Sequence, residues 1–271
     1  VPELPEVETT RRGLEPHLSN RQVQAVILRN RSLRWPVPET LAEHIAGFSV
    51  VGIIRRGKYL LIAFPHGHLL IHLGMSGSLR IVSRELPANK HDHVDIVFDE
   101  DVVLRFNDPR RFGSILWVEG DYRQHPRLRN LGPEPLGTDF TGQYMYDIAH
   151  GRNLPIKSFL MDSRIVVGVG NIYANESLFI SGIHPLRKSG RISLIRYQRL
   201  SRAVVKVLQL AIKQGGTTLR DFVQIDGTPG YFKQQLFVYG RAGLPCERCG
   251  NILKEVRVNQ RSTVYCLKCQ H

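Results

Sequence analysis

The chain changes hydrophobic period once, and that change limits its architecture more than any other feature. From about residue 21 to 120 apolar residues fall at every second position. Segments 22–28, 49–64, 68–82, 94–106 and 112–118 are rich in Val, Ile and Leu and are separated by turn clusters. Phe98-Asp99-Glu100-Asp101-Val102 has the composition of a hairpin tip. Strands in series, with no helical stretch between them, predict an antiparallel sandwich. A Pro/Gly-rich stretch follows, Leu131-Gly132-Pro133-Glu134-Pro135-Leu136-Gly137, and beyond it the spacing becomes three and four. That spacing predicts helices over Ile156–Met161, 171–180 and, most clearly, 193–213.

Ahead of the strands, residues 2–18 read as an amphipathic helix, with Val7, Leu14 and Leu18 on one face. Glu3, Glu6 and Glu8 in its first turns suit the positive end of a helix dipole. The expected fold is therefore α+β in two domains, with the boundary near 125–140. A helix and β-sandwich domain would span 1–130, a helical domain 131–236, and a finger 237–271. Residues 215–231 carry four glycines and a proline with little periodicity, which predicts a long functional loop.

The finger rests on cysteine spacing. Cys246-x-x-Cys249 is followed sixteen residues later by Cys266-x-x-Cys269, and the chain has no other cysteine. Paired knuckles at this separation match a tetrahedral zinc site closing a β-hairpin. Four protein ligands leave the metal no open position, so one structural Zn2+ is expected. Pro245 before the first knuckle echoes half of a nucleobase deaminase motif. That chemistry also needs His-x-Glu upstream, which this sequence lacks.

Lysine and arginine total 37 against 24 acids, a net charge of +13 distributed along the chain. Four thiolates and one Zn2+ contribute about −2, which leaves the protein strongly basic. A basic face on a folded body points to nucleic acid as partner. No run of about 18 apolar residues occurs, so no membrane span is expected. The acidic N-terminal segment has no apolar signal region, which predicts a cytoplasmic protein.

Several short motifs bear on chemistry. Pro2-Glu3 matters because proline carrying a free amine is a secondary-amine nucleophile. Condensed with a sugar carbon, it becomes an iminium with a fixed positive charge that draws electrons from neighbouring bonds. With Val1 attached, the same nitrogen is an unreactive tertiary amide. Lys58 follows a glycine within a strand pattern, in a cluster that by itself reads as surface charge. Asp108-Pro109-Arg110-Arg111-Phe112-Gly113 and His72-Leu73-Gly74-Met75-Ser76-Gly77 offer cationic and apolar fingers of the kind that wedge between base pairs. Gly168-Val169-Gly170 is too short for a dinucleotide fingerprint. It reads as a tight turn into a helix whose first amides, with Asn171, suit a phosphate.

Taken together, PELPEVET at 2–9, GKYL at 57–60, HLGMSG at 72–77, His91-Asp92-His93, DPRRFG at 108–113, GVGNIYANE at 168–176, GGTTLRDF at 215–222 and the cysteine hairpin resemble the bacterial formamidopyrimidine-DNA glycosylases. The likeness runs from residue 2 to 270. It implies a helix-two-turns-helix arrangement in the helical domain. It also implies excision of oxidised purines from double-stranded DNA through a Schiff base on Pro2, then strand cleavage by β,δ-elimination at the abasic site. Glu3 would shuttle protons, Lys58 would assist elimination, and Arg261 would support the last step as a phosphate-stabilising cation. Met75, Arg110 and Phe112 would fill the gap left by the everted base, with His91, Arg152, Lys157, Asn171 and Tyr239 as further DNA contacts. Glu6, Glu176 and the 215–231 loop are implied elements of the lesion pocket. The resemblance further implies a monomer associated with the bacterial nucleoid.

Two positions depart from the family pattern. Gly151-Arg152-Asn153 stands where a lysine-rich run is usual, and Val1 stands in place of an initiator methionine. Val1 is expected to reflect a GUG start codon read literally, with removal of the first residue exposing Pro2. Two rival readings keep their discriminators. An endonuclease VIII-like enzyme would prefer oxidised pyrimidines. A non-catalytic zinc-ribbon protein would bind DNA without nicking it, its Pro-Glu merely starting a helix.

Overall fold

A computed structural model describes residues 2–99, 101–215 and 236–271. Val1, Glu100 of the expected hairpin tip and positions 216–231 of the expected loop lie outside the described residues. Two compact units divide between Arg129 and Asn130.

The first unit contains α1 (Leu4–Leu18), β1 (Ala25–Leu28), α2 (Leu41–Ile45), β2 (Gly52–Arg56), β3 (Tyr59–Phe64), β4 (Gly67–His72), β5 (Ser78–Val82), β6 (Asp92–Val97), β7 (Val103–Asn107) and β8 (Ser114–Glu119). Its strands form two four-stranded sheets, ordered β1-β6-β7-β5 and β2-β3-β4-β8. Every pairing in both is antiparallel. One core joins the two sheets and the helix: Val7, Leu14 and Leu18 pack with Leu60, Ile62 and Leu69 of one sheet and Val94, Ile96 and Leu104 of the other. Each such side chain contributes on the order of 1.5–3 kcal/mol through burial.

Two expected strands are each two strands. The 49–64 segment folds back at Gly57-Lys58, where Gly57 takes φ +58°, a region that disfavours side chains. The 68–82 segment breaks at Leu73-Gly77, so that β4 and β5 belong to different sheets. Helix α1 begins at Leu4 rather than at residue 2, because Glu3 serves as its N-cap.

The second unit contains α3 (Gly142–Ala149), α4 (Ile156–Met161), α5 (Asn171–Ser181), α6 (Leu194–Lys213), β9 (Lys254–Val258) and β10 (Arg261–Tyr265). Helix α6 buries Tyr197, Leu200, Val204, Leu208 and Ala211 along one face, the three- and four-residue spacing of its sequence. Helix α3 went unforeseen. β9 and β10 form an antiparallel hairpin. Asn259 and Gln260 make its two-residue turn with φ of 48° and 64°, as a type I′ turn requires. Phe179 of α5 joins Val238, Leu253, Val264 and Cys266 in a small core that seats this hairpin. Among the described residues no helix is long and apolar enough to cross a membrane.

Candidate active site and nucleic-acid interface

Pro2 and Glu3 are buried at the start of α1, with Glu3 only 2% exposed. The Glu3 backbone N–H donates to Glu6 Oε2 at 2.8 Å, so the carboxylate one turn inside the helix fixes the backbone that carries Pro2. Glu6 is itself fully buried. Expected as an element of the lesion pocket, it is part of the helix start.

Lys58 occupies the tight turn between β2 and β3. The next residue, Tyr59, pairs across the sheet with His72, their rings 4.9 Å apart. His72 has its pKa pushed down to about 4, first by burial and then by the positive charges of Lys58, Arg34 and Arg127. Its Nδ1 accepts the Gly74 backbone N–H at 3.0 Å. The neutral ring therefore carries its proton on Nε2 and can donate one hydrogen bond without adding charge. Arg127 and Arg34 also flank the Trp35 ring, at 3.1 and 4.6 Å from its centroid. Positions 34, 58, 72 and 127 thus meet in one cationic patch. Sequence reading found Lys58 alone, because nothing local marks the other three as its neighbours.

The two candidate wedge loops are built as one structure. Gly74, at φ +65°, lies so close to Phe112 that an added Cβ would fall on its backbone carbonyl carbon. Asp108 is fully buried and holds both loops. It accepts from Ser76 Oγ at 2.7 Å, from the Gly113 N–H at 2.7 Å and from the Arg110 N–H at 3.3 Å. Met75 stands between Gly74 and Ser76, the residues through which its loop meets Phe112 and the Arg110 N–H. Phe112 is 44% exposed, and the Arg110 guanidinium lies 5.0 Å over its ring. An exposed aromatic under a cation, on a braced turn, suits stacking on a nucleobase. His91 joins the same turn through its carbonyl, which accepts the Asp108 N–H at 3.0 Å.

In the second unit Asn171 opens α5, directly after the Gly170 N-cap. Arg152 is exposed, its guanidinium 6.0 Å from the Phe159 ring. Arg261 is exposed at the first position of β10, immediately after the hairpin turn. It lines a hollow with Lys157, Ser158 and Asp162.

Two of the residues implied by the resemblance have partners within the fold. Lys157 is 1% exposed, and its Nζ donates to Ser262 O at 2.8 Å and Thr263 Oγ1 at 2.6 Å. An ammonium so enclosed ties α4 to the hairpin, where a DNA-backbone contact was expected. Glu176, expected in the lesion pocket, accepts from the backbone N–H groups of Phe237, Val238 and Tyr239 at 2.8, 3.0 and 2.9 Å. Burial raises its pKa against the pull of those three donors. Glu176 thus holds the segment entering the finger, and Tyr239 with it. Asn175, not singled out from sequence, takes the Val264 N–H of β10 at 2.9 Å. Helix α5 therefore grips the finger at two places.

Cys246, Cys249, Cys266 and Cys269 place their Sγ atoms within 4.8 Å of one another. The 246–269 and 249–266 pairs are 3.9 and 3.5 Å apart. Zn–S bonds of about 2.3 Å place tetrahedral sulfurs roughly 3.8 Å apart, so the residues fit the metal. They hold one structural zinc ion, which ties the two ends of the hairpin together.

Known proteins match this chain along almost its whole length. Residues 1–115 match the formamidopyrimidine-DNA glycosylase N-terminal domain, 131–223 the H2TH domain of the same enzymes, and 243–271 the zinc finger found in FPG and IleRS. Formamidopyrimidine-DNA glycosylases of Alcanivorax borkumensis and Marinobacter nauticus are 58% and 56% identical over 270 residues, covering 100% of each chain. The MutM (FPG) protein of Thermus thermophilus superposes with a TM-score of 0.88 at 38% identity, covering 99% of this chain and 98% of that one. A Lactococcus lactis FPG mutant bound to Fapy-dG containing DNA superposes at 0.92 with 32% identity, covering 100% of each. Sequence, fold and zinc hairpin agree that the chain belongs to the formamidopyrimidine-DNA glycosylase family.

Proposed function

We propose that the protein is a bifunctional DNA glycosylase and AP lyase of base excision repair, acting on oxidised purines such as 8-oxoguanine and formamidopyrimidines. The observation that carries this reading is the seating of Pro2 and Glu3. A potential secondary amine and a carboxyl are buried side by side at a helix start, in the unit that also carries Lys58 and the wedge. Relatives of the same fold are described in complex with DNA containing Fapy-dG or an abasic site, which supports this substrate class.

The chemistry requires the Pro2 nitrogen to be the chain terminus. Its lone pair attacks C1′, and the glycosidic electron pair leaves with the base, which takes up a proton. Glu3 protonates the ring oxygen as the sugar opens to the iminium. Loss of a C2′ proton then expels the 3′ phosphate, and a second elimination expels the 5′ phosphate. Water releases the sugar fragment from Pro2. Lys58 would hold a phosphate and assist elimination, and Arg261 would stabilise the departing phosphate as a guanidinium that stays charged. Met75, Arg110 and Phe112 would occupy the emptied stack, offsetting an unstacking cost of a few kcal/mol. His91, Arg152, Asn171 and Tyr239 would track the backbone. In this reading 1–130 is the catalytic domain, 131–236 binds DNA and carries the lesion-recognition loop, and 237–271 is the finger. The protein works as a monomer in the bacterial cytoplasm, at the nucleoid.

Borohydride trapping on an 8-oxoguanine:cytosine duplex tests the reading. Protein beginning at Pro2 should give a covalent complex of protein and DNA, and Glu3→Gln should lower its yield at least tenfold. Equal trapping by protein that retains Val1 would place the imine on a primary amine, that of Val1 or of a lysine, and overturn the assignment of Pro2.

A further inference from the structure

One carboxylate in the first unit is surrounded by three guanidiniums. Glu8, on α1 and 9% exposed, accepts from Arg12 Nε at 2.8 Å and Arg11 Nη2 at 3.2 Å on its own helix, and from Arg55 Nε on β2 at 3.0 Å. The arginines hold the Glu8 pKa below the usual carboxylate range, although burial, the largest single influence, pulls it upward. Arg11 also donates to Glu15 at 2.9 Å, and Arg12 is largely exposed. Arg11 reaches β2 as well, donating to the Ile53 carbonyl oxygen at 3.5 Å, but Arg55 alone of the three reaches the Lys58 turn. While Nε holds Glu8, Nη1 donates to the carbonyl oxygen of Gly57 at 3.1 Å.

That carbonyl belongs to the peptide bond that leads into Lys58. The guanidinium therefore joins the helix beginning with Pro2 and Glu3 to the turn presenting Lys58. A planar fork fixes distance and angle together, which a lysine ammonium cannot do. Burial of the carboxylate also removes water that would otherwise compete for the fork.

We propose that Arg55 is a positioning residue, a brace seated on Glu8 that sets the Lys58 turn against the helix carrying Pro2 and Glu3. This rests on the reading of Pro2, Glu3 and Lys58 as the reacting groups. Arg55 acts through the Gly57 carbonyl and touches no substrate.

The test is a double-mutant cycle in the full-length, zinc-loaded protein beginning at Pro2, with cleavage of a preformed abasic site measured in single turnover. Arg55→Lys keeps the charge and loses the fork; it should slow cleavage at least tenfold. Affinity for duplex containing an uncleavable abasic analogue should stay within about twofold, and Tm should fall by only a few degrees. Glu8→Gln should show the same pattern in weaker form. In a Lys58→Ala background, Arg55→Lys should slow cleavage no further, since the group it positions is gone. A tenfold loss that persists in that background overturns the proposal, as does a loss of cleavage that tracks Tm across the variants. Lys58→Ala cleaving at the wild-type rate would overturn both the role of Lys58 and the brace. A normal Lys58→Ala defect with additive Arg55→Lys would overturn the brace alone.

Discussion

His72 is an imidazole that this protein keeps uncharged amid cations. Its pKa near 4 in the folded chain compares with 6.5 for an unperturbed ring. Between those values the unfolded chain binds a proton that the folded chain refuses, so stability rises with pH across the window. Lowering the pH from 7 to 4 should cost up to about 3 kcal/mol from this residue, and less where water reaches the ring. His72→Asn keeps an acceptor for the Gly74 N–H and has no proton to gain. Its Tm should therefore fall less steeply than wild type from pH 6.5 to 4, as thermal melts in matched buffers would measure. Parallel curves would mean that the ring protonates freely and that the three cations do not act on it. At this scale the sequence was legible where chemistry is local: the paired cysteines state their metal site by spacing, and Pro2 and Glu3 lie together because they are adjacent. Arg34, His72 and Arg127 were not legible, because only β pairing and the path of the chain bring them to Lys58. Lys157 and Glu176 were named through the resemblance, and their partners within the fold were not legible, because those partners lie about 60 to 105 residues away.

The proposed wedge rests on two turns together rather than on three side chains. Gly74 has no room for a Cβ against the Phe112 backbone and has a φ that side chains avoid. Gly74→Ala should therefore separate the turns or strain them, at a cost of roughly 1–3 kcal/mol. If Met75 and Phe112 must enter the duplex as a unit, single-turnover base excision should drop at least tenfold. Binding to nonspecific duplex, which uses backbone charge, should change less than twofold. Unchanged excision would show that the turns act independently. The same elements explain what period reading can recover. Alternation located the strand-rich half but merged β2 with β3 and β4 with β5, because the Gly57-Lys58 turn and the 73–77 turn are no longer than the strands they separate. The long amphipathic α6 was plain from sequence. The five-residue α2 offers too few turns for a period to register. α3 carried a different signal, passed over: Thr141 accepts the Tyr144 N–H at 3.0 Å as its N-cap.

For the molecule as a whole, net charge and zinc meet in one measurement. The chain carries +13 formally, and binding to duplex should release counterions, so log Kobs should fall linearly with log salt. Each phosphate contact contributes about 0.9 to that slope. The hairpin carries Lys254, Arg257, Arg261 and Lys268, and the cysteine cluster closes the small core that holds it in shape. Removing zinc leaves four thiols without their bond to one centre, while Glu176 and Asn175 grip only the segment entering the finger and β10. Chelation should therefore melt the hairpin selectively, leaving the sandwich core, which contains none of the cysteines, intact. The binding slope of zinc-free protein should fall by about 1–3, the share of one to three finger contacts. Arg261→Ala in zinc-loaded protein should lower it by at most about 1. Circular dichroism and fluorescence titrations across a salt series would measure both. A slope that does not change on zinc removal would mean that the finger's cations meet no phosphate, and that its role is to hold α5 rather than DNA.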